Sequence, residues 1–355
     1  MKNNKVILLG DINLMGIEPS EKPFARVSSF VGKADAVFAN LECCFYDPPK
    51  DVGRQIDVRY ETGERLQREG LEARTDMAPA LAELGVSAVG NANNVNYGHE
   101  PIKSSLRELD KLGISHSGAG MNIKQAEEPA IVERNGVRFG LFQRTAVYWP
   151  VEHKALLNSA GVATIKAHTS YRPLSDGDHR SANRPGVPPE VITWMDRNSL
   201  ERIVKQIKKV KKQCDVVIAS YHWGLGEKIL SYQTELAHAS IDAGADIVMG
   251  TGPHYPLPLE LYKKKPILYG MGSFFFYIGH GSRLQPNELG IIACLGFEKT
   301  KIKKLALRLV RRRNGKQTIF RSTKQEKKEI ERLHRLCELF GTSFKVKGDE
   351  LVFDL

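Results

Sequence analysis

Five polar side chains of metal-binding type each follow directly after a short apolar run in this sequence. They are Asp11, Glu42, Asn91, His222 and His254. Ligands of open α/β sheets bind beyond the carboxyl ends of the strands, so residues at five such ends can converge on one site from distant parts of the chain. Carboxylates, imidazoles and an amide oxygen are ligands that suit Mn, Fe or Zn. The pattern therefore predicts a divalent-metal site.

Each of these residues, taken alone, also has a purely structural interpretation. Asp11 fits a helix cap, His222 fits a hydrogen-bonded core histidine, and Asn91 fits a left-handed turn. The metal hypothesis therefore depends on the recurrence at five strand ends and not on any single residue.

The elements that must position these residues alternate short β-type runs with helical patterns, as in an α/β sheet with crossover helices. Apolar runs predict strands at 6–9, 36–39, 87–90, 216–219 and 247–249. Amphipathic spacing predicts helices around 106–112, 200–210 and 330–340. Asn-Gly and Lys-Gly pairs predict hairpin turns at 135–136, 314–315 and 347–348.

Two domains are expected from these patterns. Residues 1–299 form a core whose segment 150–198 carries no sustained period, and we expect a long loop there that covers the site. Residues 300–355 are expected to form a basic hairpin, helix and hairpin extension packed on that core.

Composition is that of a folded globular protein. The chain has 355 residues, of which 41% are hydrophobic and 26% charged, and this excludes a disordered, collagenous or disulfide-scaffold class. Its five cysteines show no CxxC spacing, which favours reduced thiols and argues against a thiolate metal site. The first apolar run is too short for a signal peptide or membrane anchor, so we expect a cytoplasmic protein.

The net charge of +11 is concentrated near the end of the chain. Residues 300–335 contain 14 Lys and Arg but 3 Asp and Glu, and the remainder is neutral. Regular apolar positions interrupt this basic segment, and it has no aromatic stacking pattern. We therefore favour a solvated face over a polyanion contact, and we do not expect nucleic acid as the partner.

Short motifs throughout nearly the whole chain carry a family resemblance. They are Gly10-Asp11, Asn40-Leu41-Glu42, 90–98, His222-Trp223-Gly224, 250–254 and 269–274. In this combination the chain resembles the CapA-like family of poly-γ-glutamate capsule biosynthesis, a branch of the metallophosphoesterase superfamily. The resemblance implies a four-layer α/β/β/α sandwich with metals held at the strand ends.

The departures from the family pattern predict a partly degenerate metal site. An alignment on Asn96-Tyr97-Gly98 puts Ala92 where the family has a metal-binding Asn and Asn93 where it has the catalytic His; a local register shift would instead return Asn91 or Asn93 to the ligand position. Gly252 stands where relatives have another ligand His. We therefore expect one ion rather than two.

Loss of the family's usual proton donor means that another acid must serve. His280, in the Gly279-His280-Gly281 turn, is the main candidate beside Asn93, and His99 and His179 are alternatives. Each of these histidines is otherwise an ordinary exposed side chain.

Three further residues are candidates for binding a substrate. Arg144 follows a strand and can hold a carboxylate bidentately, or else form a surface ion pair. Trp223 and Tyr255 stand beside the ligand histidines and can line the pocket, although core packing explains them equally well.

The leading functional hypothesis is a metal-dependent hydrolase or acyl/amide-transfer enzyme. Its substrate is expected to be a small molecule or peptide with carboxylate or phosphate groups, either a γ-glutamyl-like amide or a phosphoester. The alternative is a metal-poor CapA-like protein that binds or scaffolds without turnover, because Ala92, Asn93 and Gly252 remove groups that two-metal chemistry needs.

Overall fold

A computed structural model describes residues 3–49, 70–172 and 188–355, together with the backbone of two short strands at Asp57–Arg59 and Arg65–Gln67. None of the helices in these ranges is long and apolar enough to cross a lipid bilayer. All five cysteines are buried and free.

The strands are short, and most are connected by tight turns or by helices. In chain order they are β1 Asn4–Asn13, β2 Ala36–Leu41, β3 Cys44–Phe45, β4 Asp57–Arg59, β5 Arg65–Gln67, β6 Glu72–Ala73, β7 Ala88–Gly90, β8 Ser115–Ser117, β9 Ala119–Gly120, β10 Ala130–Arg134, β11 Val137–Thr145, β12 Gly161–Val162, β13 Ala167–Arg172, β14 Glu190–Met195, β15 Val216–His222, β16 Ile247–Thr251, β17 Leu259–Tyr262, β18 Lys265–Leu268, β19 Ser273–Phe276, β20 Gly290–Glu298, β21 Lys301–Arg313, β22 Gln317–Arg321, β23 Phe344–Lys347 and β24 Glu350–Phe353.

The helices connect these strands. They are α1 Ser28–Val31, α2 Pro79–Leu84, α3 His99–Lys111, α4 Ile123–Glu127, α5 Arg197–Lys211, α6 Ser231–Asp242 and α7 Lys327–Glu338, with 3₁₀ turns at Pro19–Glu21, Thr75–Met77 and His280–Ser282.

Two mixed sheets dominate the fold. A ten-stranded sheet runs in the order β23-β24-β21-β20-β1-β2-β7-β8, with β19 beside β1 and β22 beside β21. A six-stranded sheet runs in the order β10-β11-β15-β16-β18-β17. The central strands of each sheet are parallel, as the alternation of strands and helices predicted. The α/β class is therefore confirmed.

Apolar clusters connect the layers. One cluster combines residues of β1, β2, β15 and β16, so it lies between the two sheets. The opposite face of β1 packs on α1 and α2, whereas the opposite face of β15 packs on α5 and α6. Strands with two buried faces are apolar over most of their length, which explains the continuous apolar runs in the sequence.

The C-terminal segment is part of the main sheet and not an extension of it. β21 pairs with β20 over most of its length, and β24 pairs with β21. The boundary predicted between residues 299 and 300 falls in the turn of this hairpin. Helix α7 buries Ile330, Leu333 and Cys337 in the cluster between the sheets. Alternate residues of β21 face the same cluster.

The segment 150–198 contains more regular structure than the predicted loop. Gly161–Val162 pairs with β9, and β13 pairs antiparallel with β14. Residues 173–187, between β13 and β14, lie outside the described residues. The three predicted hairpin turns are confirmed, and at the first of them Asn135 and Gly136 have φ values of 51° and 76°.

Candidate metal centre

Three of the predicted ligands meet where strands of both sheets end. His254 Nδ1 lies 3.1 Å from Asp11 Oδ2, and His254 Nε2 lies 3.7 Å from Glu42 Oε1. One ligand atom from each residue lies within 4.8 Å of the others. Asp11 and Glu42 are buried, whereas the His254 side chain is 32% exposed. This spacing suits one divalent ion, whose ligands bind at about 2.0–2.2 Å.

An irregularity in β1 directs Asp11 into the group. The register of β1 shifts against β2 between Leu9 and Asp11, and it shifts against β19 directly after Asp11. Gly10 permits this close approach, because a Cβ at position 10 would stand 1.9 Å from Gly272 O. Such bulges re-aim side chains next to functional sites.

The turn after β16 brings His254 over the carboxylates. His254 has a φ of 64°, in the left-handed region that non-glycine residues rarely adopt. Gly252 has a φ of 108°, and a Cβ there would stand 3.2 Å from the His222 ring. The position where relatives have another histidine is therefore closely packed against the neighbouring imidazole.

His222 lies at the edge of the three-residue group. Its Nε2 is 4.0 Å from Glu42 Oε1 and donates a hydrogen bond to Asn94 Oδ1 at 2.8 Å. Its Nδ1 is buried and has no hydrogen-bond partner among the described residues. Asn91 is also buried, and in the described part of the chain its Oδ1 has no hydrogen-bond partner.

Asn94 is a site residue that the sequence analysis missed. It contacts His222 through Oδ1, and its Nδ2 lies 3.4 Å from His280 Nε2. The Trp149 indole donates to its backbone oxygen at 2.8 Å. The sequence offered one signal for it: a second asparagine directly after Asn93. The ungapped family alignment placed the motif at residues 90–93, so Asn94 fell one position beyond it.

Asn93 is directed into the backbone and not into the site. Its Nδ2 donates to Leu41 O at 2.8 Å, while its Oδ1 accepts from the backbone N–H groups of Val95 and Asn96 at 3.2 and 3.0 Å. This geometry is an asparagine turn in which the side chain satisfies main-chain groups. The buried amide therefore has no polar atom left for the catalytic position that we predicted.

Of the three candidate acids, His280 is the one that the described residues place beside the site. It is exposed and reaches Asn94 from the solvent side. His99 is exposed on α3, and its Nε2 lies 3.6 Å from Glu100 Oε1. His179 lies outside the described residues.

Arg144 is in the protein interior, contrary to the predicted contact with a substrate. Its Nη1 donates to Gln143 O at 2.6 Å, and its Nη2 donates to Glu127 O at 3.0 Å and to Gln206 Oε1 at 3.1 Å. Both faces of β11 are buried, so a cation near the end of this strand is enclosed and bonded to carbonyls. It is not accessible to a substrate carboxylate.

The two aromatic candidates belong to the apolar cluster outside the six-stranded sheet. Trp223 is fully buried, stacks on Tyr221 with ring centroids 5.1 Å apart, and donates from Nε1 to Tyr269 O at 2.9 Å. Tyr255 is half-buried at the edge of the same cluster. Core packing thus accounts for Trp223, and this was the alternative given above to a role in lining the pocket.

The electrostatics of the group suit a cation. Burial raises the pKa of Glu42 well above its usual value, and the charge of Asp11 raises it further. Burial also acts to raise the pKa of Asp11, but the hydrogen bond and charge of His254 outweigh it and hold that pKa below its usual value. Within the described residues, the ion-pair partners of both carboxylates are histidines and not lysines or arginines.

Burial lowers the pKa of His222 to about 4, so its imidazole is neutral at pH 7. The donor set of the group itself, two buried carboxylates and the His254 imidazole, is one that Mn, Fe and Zn accept. The residues present therefore fit a single divalent ion.

Comparison with known proteins gives the same family along most of the chain. Residues 5–277 match the family described as bacterial capsule synthesis protein PGA_cap. A probable polyglutamine synthesis accessory protein of Mycobacterium tuberculosis is 31% identical over 206 residues, which cover 56% of this chain and 47% of that protein.

Two relatives carry the CapA name. PGA biosynthesis protein CapA of Bacillus subtilis is 26% identical over 68% of this chain and 57% of its own length. Capsule biosynthesis protein CapA of Bacillus anthracis is 27% identical over 71% of this chain and 53% of its own length. The chain thus spans about half the length of these curated relatives. By the match over residues 5–277, it belongs to the PGA_cap family of bacterial capsule synthesis proteins.

Proposed function

We propose that this protein is a metal-dependent hydrolase or acyl/amide-transfer enzyme in a capsule-type biosynthetic pathway. Asp11, Glu42 and His254 hold one divalent ion, Mn, Fe or Zn, and His222 stands beside them. The observation that carries the proposal is the meeting of two buried carboxylates and an imidazole within 4.8 Å. The shared cluster between two sheets with helices outside also supports a four-layer sandwich of the metallophosphoesterase type.

The proposed substrate is a carboxylate-rich, γ-glutamyl-like amide or a phosphoester. This class is suggested by the names of the relatives, which refer to polyglutamine and PGA synthesis. An ion at the site, when bound, polarises a carbonyl or phosphoryl oxygen and lowers the pKa of bound water to about 7.

In this proposal, a histidine of the protein donates the proton that the leaving group needs. His222 is uncharged at neutral pH and is held by Asn94. His280, on the solvent side of Asn94, is the described histidine best placed to protonate a leaving group. A leaving amine or alkoxide would thus take its proton from the loop that contains His280.

Metal binding is the first test. We expect metal-stripped protein to bind one equivalent of Mn²⁺ or Zn²⁺ in isothermal titration calorimetry, and His254→Ala or Asp11→Asn to weaken this binding at least about tenfold. His238→Ala is the matched control, since His238 also pairs with a buried glutamate, at 2.8 Å from Glu260, but lies on α6 away from the site. Absence of binding by the unaltered protein, or equal binding by His254→Ala, would contradict the proposal.

Turnover is tested next with the metal-loaded protein. A γ-glutamyl anilide, an oligo-γ-glutamate and an aryl phosphate separate the amide and phosphoester possibilities. We expect one of the three to be converted, with activity lost in His254→Ala and kept in His238→Ala.

A binding or scaffold protein without turnover is the second candidate. It is favoured by Asn93, whose amide is occupied by main-chain groups, and by Gly252, which offers no side chain. This candidate, a metal-poor protein, predicts saturable binding of oligo-γ-glutamate with or without added metal and no product after prolonged incubation. Conversion of any of the three substrates would exclude it.

A further inference from the structure

The side chain of Gln143 reaches from one sheet to the other, directly behind the metal centre. Gln143 lies on β11 of the six-stranded sheet and is fully buried. Its Nε2 donates to Asn40 Oδ1 at 2.7 Å, and Asn40 lies on β2 of the ten-stranded sheet. Its Oε1 accepts the backbone N–H of Ala92 at 2.6 Å.

The direction of this hydrogen-bond chain is set by the main chain. The N–H of Ala92 can only donate, so the Oε1 side of the Gln143 amide must face it. The NH₂ side of Gln143 then faces Asn40 Oδ1, which leaves the NH₂ group of Asn40 directed the other way. Each amide thus has one orientation in which all of these bonds form.

The NH₂ group of Asn40 is directed at both carboxylates of the centre. It donates to Asp11 Oδ1 at 2.8 Å and to Glu42 Oε2 at 3.3 Å. The other oxygens, Asp11 Oδ2 and Glu42 Oε1, are the atoms nearest to His254. Asn40 therefore binds one oxygen of each carboxylate and leaves the second oxygen of each facing the imidazole.

Two glycines leave room for the Gln143 amide. A Cβ at Gly90 would stand 2.2 Å from Gln143 Cδ, and a Cβ at Gly118 would stand 2.8 Å from Gln143 Oε1. Gly118 also has a φ of 107°, which favours glycine. The Gln143 amide thus fits between these two backbone segments only because positions 90 and 118 are glycines, which have no side chain.

We propose that Gln143 is a positioning residue for the metal centre: it fixes the orientation of Asn40 and, through Asn40, the two carboxylates that bind the ion. The inference rests on the proposed function for the identity of the ligand, and it names a residue outside the ligand set. Groups that orient metal ligands commonly change metal affinity by about 10- to 100-fold when they are replaced.

Gln143→Met is the sharpest variant, because methionine nearly matches the length of glutamine but has no donor for Asn40 Oδ1. Without that bond the NH₂ group of Asn40 is no longer held toward Asp11 and Glu42. We expect Mn²⁺ affinity in calorimetry to fall at least about tenfold. Gln143→Leu, which also lacks a donor, serves as a second variant if the first does not fold.

Gln233→Met is the matched control. Gln233 is also fully buried, and its Oε1 also accepts a backbone N–H, that of Leu230 at 2.8 Å, but it is on α6 and has no bond to the site. A lowered melting temperature is expected for both methionine variants, whereas loss of Mn²⁺ affinity is expected for Gln143→Met alone.

A second measurement does not depend on metal. In protein labelled with ¹⁵N-asparagine, the Asn40 side-chain NH₂ signals are identified by their loss in Asn40→Asp. We expect these protons to exchange slowly with solvent in the unaltered protein, and to shift and exchange faster in Gln143→Met or Gln143→Leu but not in Gln233→Met.

The two measurements separate the possible failures. If the unaltered protein binds no metal but the Asn40 signals respond to position 143, the proposed function fails while the positioning role of Gln143 stands. If metal binds and the position-143 variants change neither the Mn²⁺ affinity nor the Asn40 signals, the positioning inference is overturned. Equal loss of affinity in Gln233→Met would also overturn it.

Discussion

His153 shows how burial fixes the protonation state of a side chain near the site. Its Nδ1 accepts a hydrogen bond from the backbone N–H of Trp149 at 3.0 Å, and its Nε2–H donates to Asn96 O at 3.1 Å. These two bonds connect the segment after β11 to the turn after β7. Burial lowers its pKa to about 4. The unfolded chain therefore takes up a proton near pH 6.5 that the folded chain takes up only near pH 4.

This difference predicts an acid-sensitive contribution to stability. The contribution is fully present above pH 6.5 and is lost as the pH falls toward 4, because the unfolded state then binds more protons. At one pKa unit for about 1.4 kcal/mol, the loss between pH 7 and pH 4.5 is roughly 2–3 kcal/mol. We expect His153→Gln to lose less stability than the unaltered protein between these two pH values, measured by urea unfolding. Identical losses would show that His153 does not cause the effect.

A substitution at Gly252 is expected to damage both stability and the site. Gly252→Ala combines a left-handed backbone with a Cβ 3.0 Å from Trp223 O and 3.2 Å from the His222 ring, so we expect a loss of about 2 kcal/mol. Gly226→Ala is the control for the backbone alone, since Gly226 has a φ of 61° and open space around its Cα. Denaturant unfolding should show a larger loss for Gly252→Ala, and equal losses would mean that the packing around His222 adds nothing.

Sequence reasoning located the residues at strand ends better than the residues that pack against them. Asp11, Glu42 and His254 were identifiable because each is a polar residue of metal-binding type within a few positions of the end of an apolar run. Arg144 was misplaced because both faces of its strand are buried, so alternation carries no information about which side chains are accessible. Asn94 was missed because a one-residue difference decides which asparagine faces His222 and which closes the turn.

At the scale of elements, the local signals predicted the hairpins and the amphipathic helices. Tight turns depend on a few neighbouring residues, and Asn-Gly specifies them. The order of strands depends on contacts between distant segments, so the insertion of β19 beside β1 and the union of β21 with the main sheet were not readable from the sequence. The same limit explains why the C-terminal segment looked like a separate extension.

Helix α7 should contribute to the stability of the whole fold, because it packs into the cluster between the sheets. Leu333 is 2% exposed in that cluster, so we expect Leu333→Ala to cost about 2–5 kcal/mol in the free energy of unfolding. Glu331→Ala on the exposed face is the control and should change it by less than about 0.5 kcal/mol. A separately unfolding C-terminal unit, visible as a second transition in both calorimetry and circular dichroism, would contradict the arrangement.

At the scale of the molecule, many of the basic side chains of residues 300–335 have acidic partners. Seven of them form ion pairs with acidic residues in the described part of the chain, among them Arg311 and Arg321 with Glu326, and Lys316 with Glu21. Such pairing reduces the charge available to a polyanion. The basic segment therefore behaves as a partly neutralised surface.

We expect weak retention on heparin as a result. The protein should elute below about 0.15 M salt, where surface charges separated by more than about 8 Å are largely screened. Elution only at high salt, with affinity that falls steeply as salt is raised, would support the polyanion contact that we disfavoured.

The candidate ligands come from both sheets. Asp11 lies on β1 and Glu42 follows β2 in the ten-stranded sheet, whereas His222 ends β15 and His254 follows β16 in the six-stranded sheet. An ion bound to both groups would resist any sliding of the sheets past each other. Loading with a cation should then slow amide hydrogen exchange in the ends of β1, β2, β15 and β16 together. The geometry of the proposed metal centre and the alignment of the two sheets would in that case depend on the same bonds.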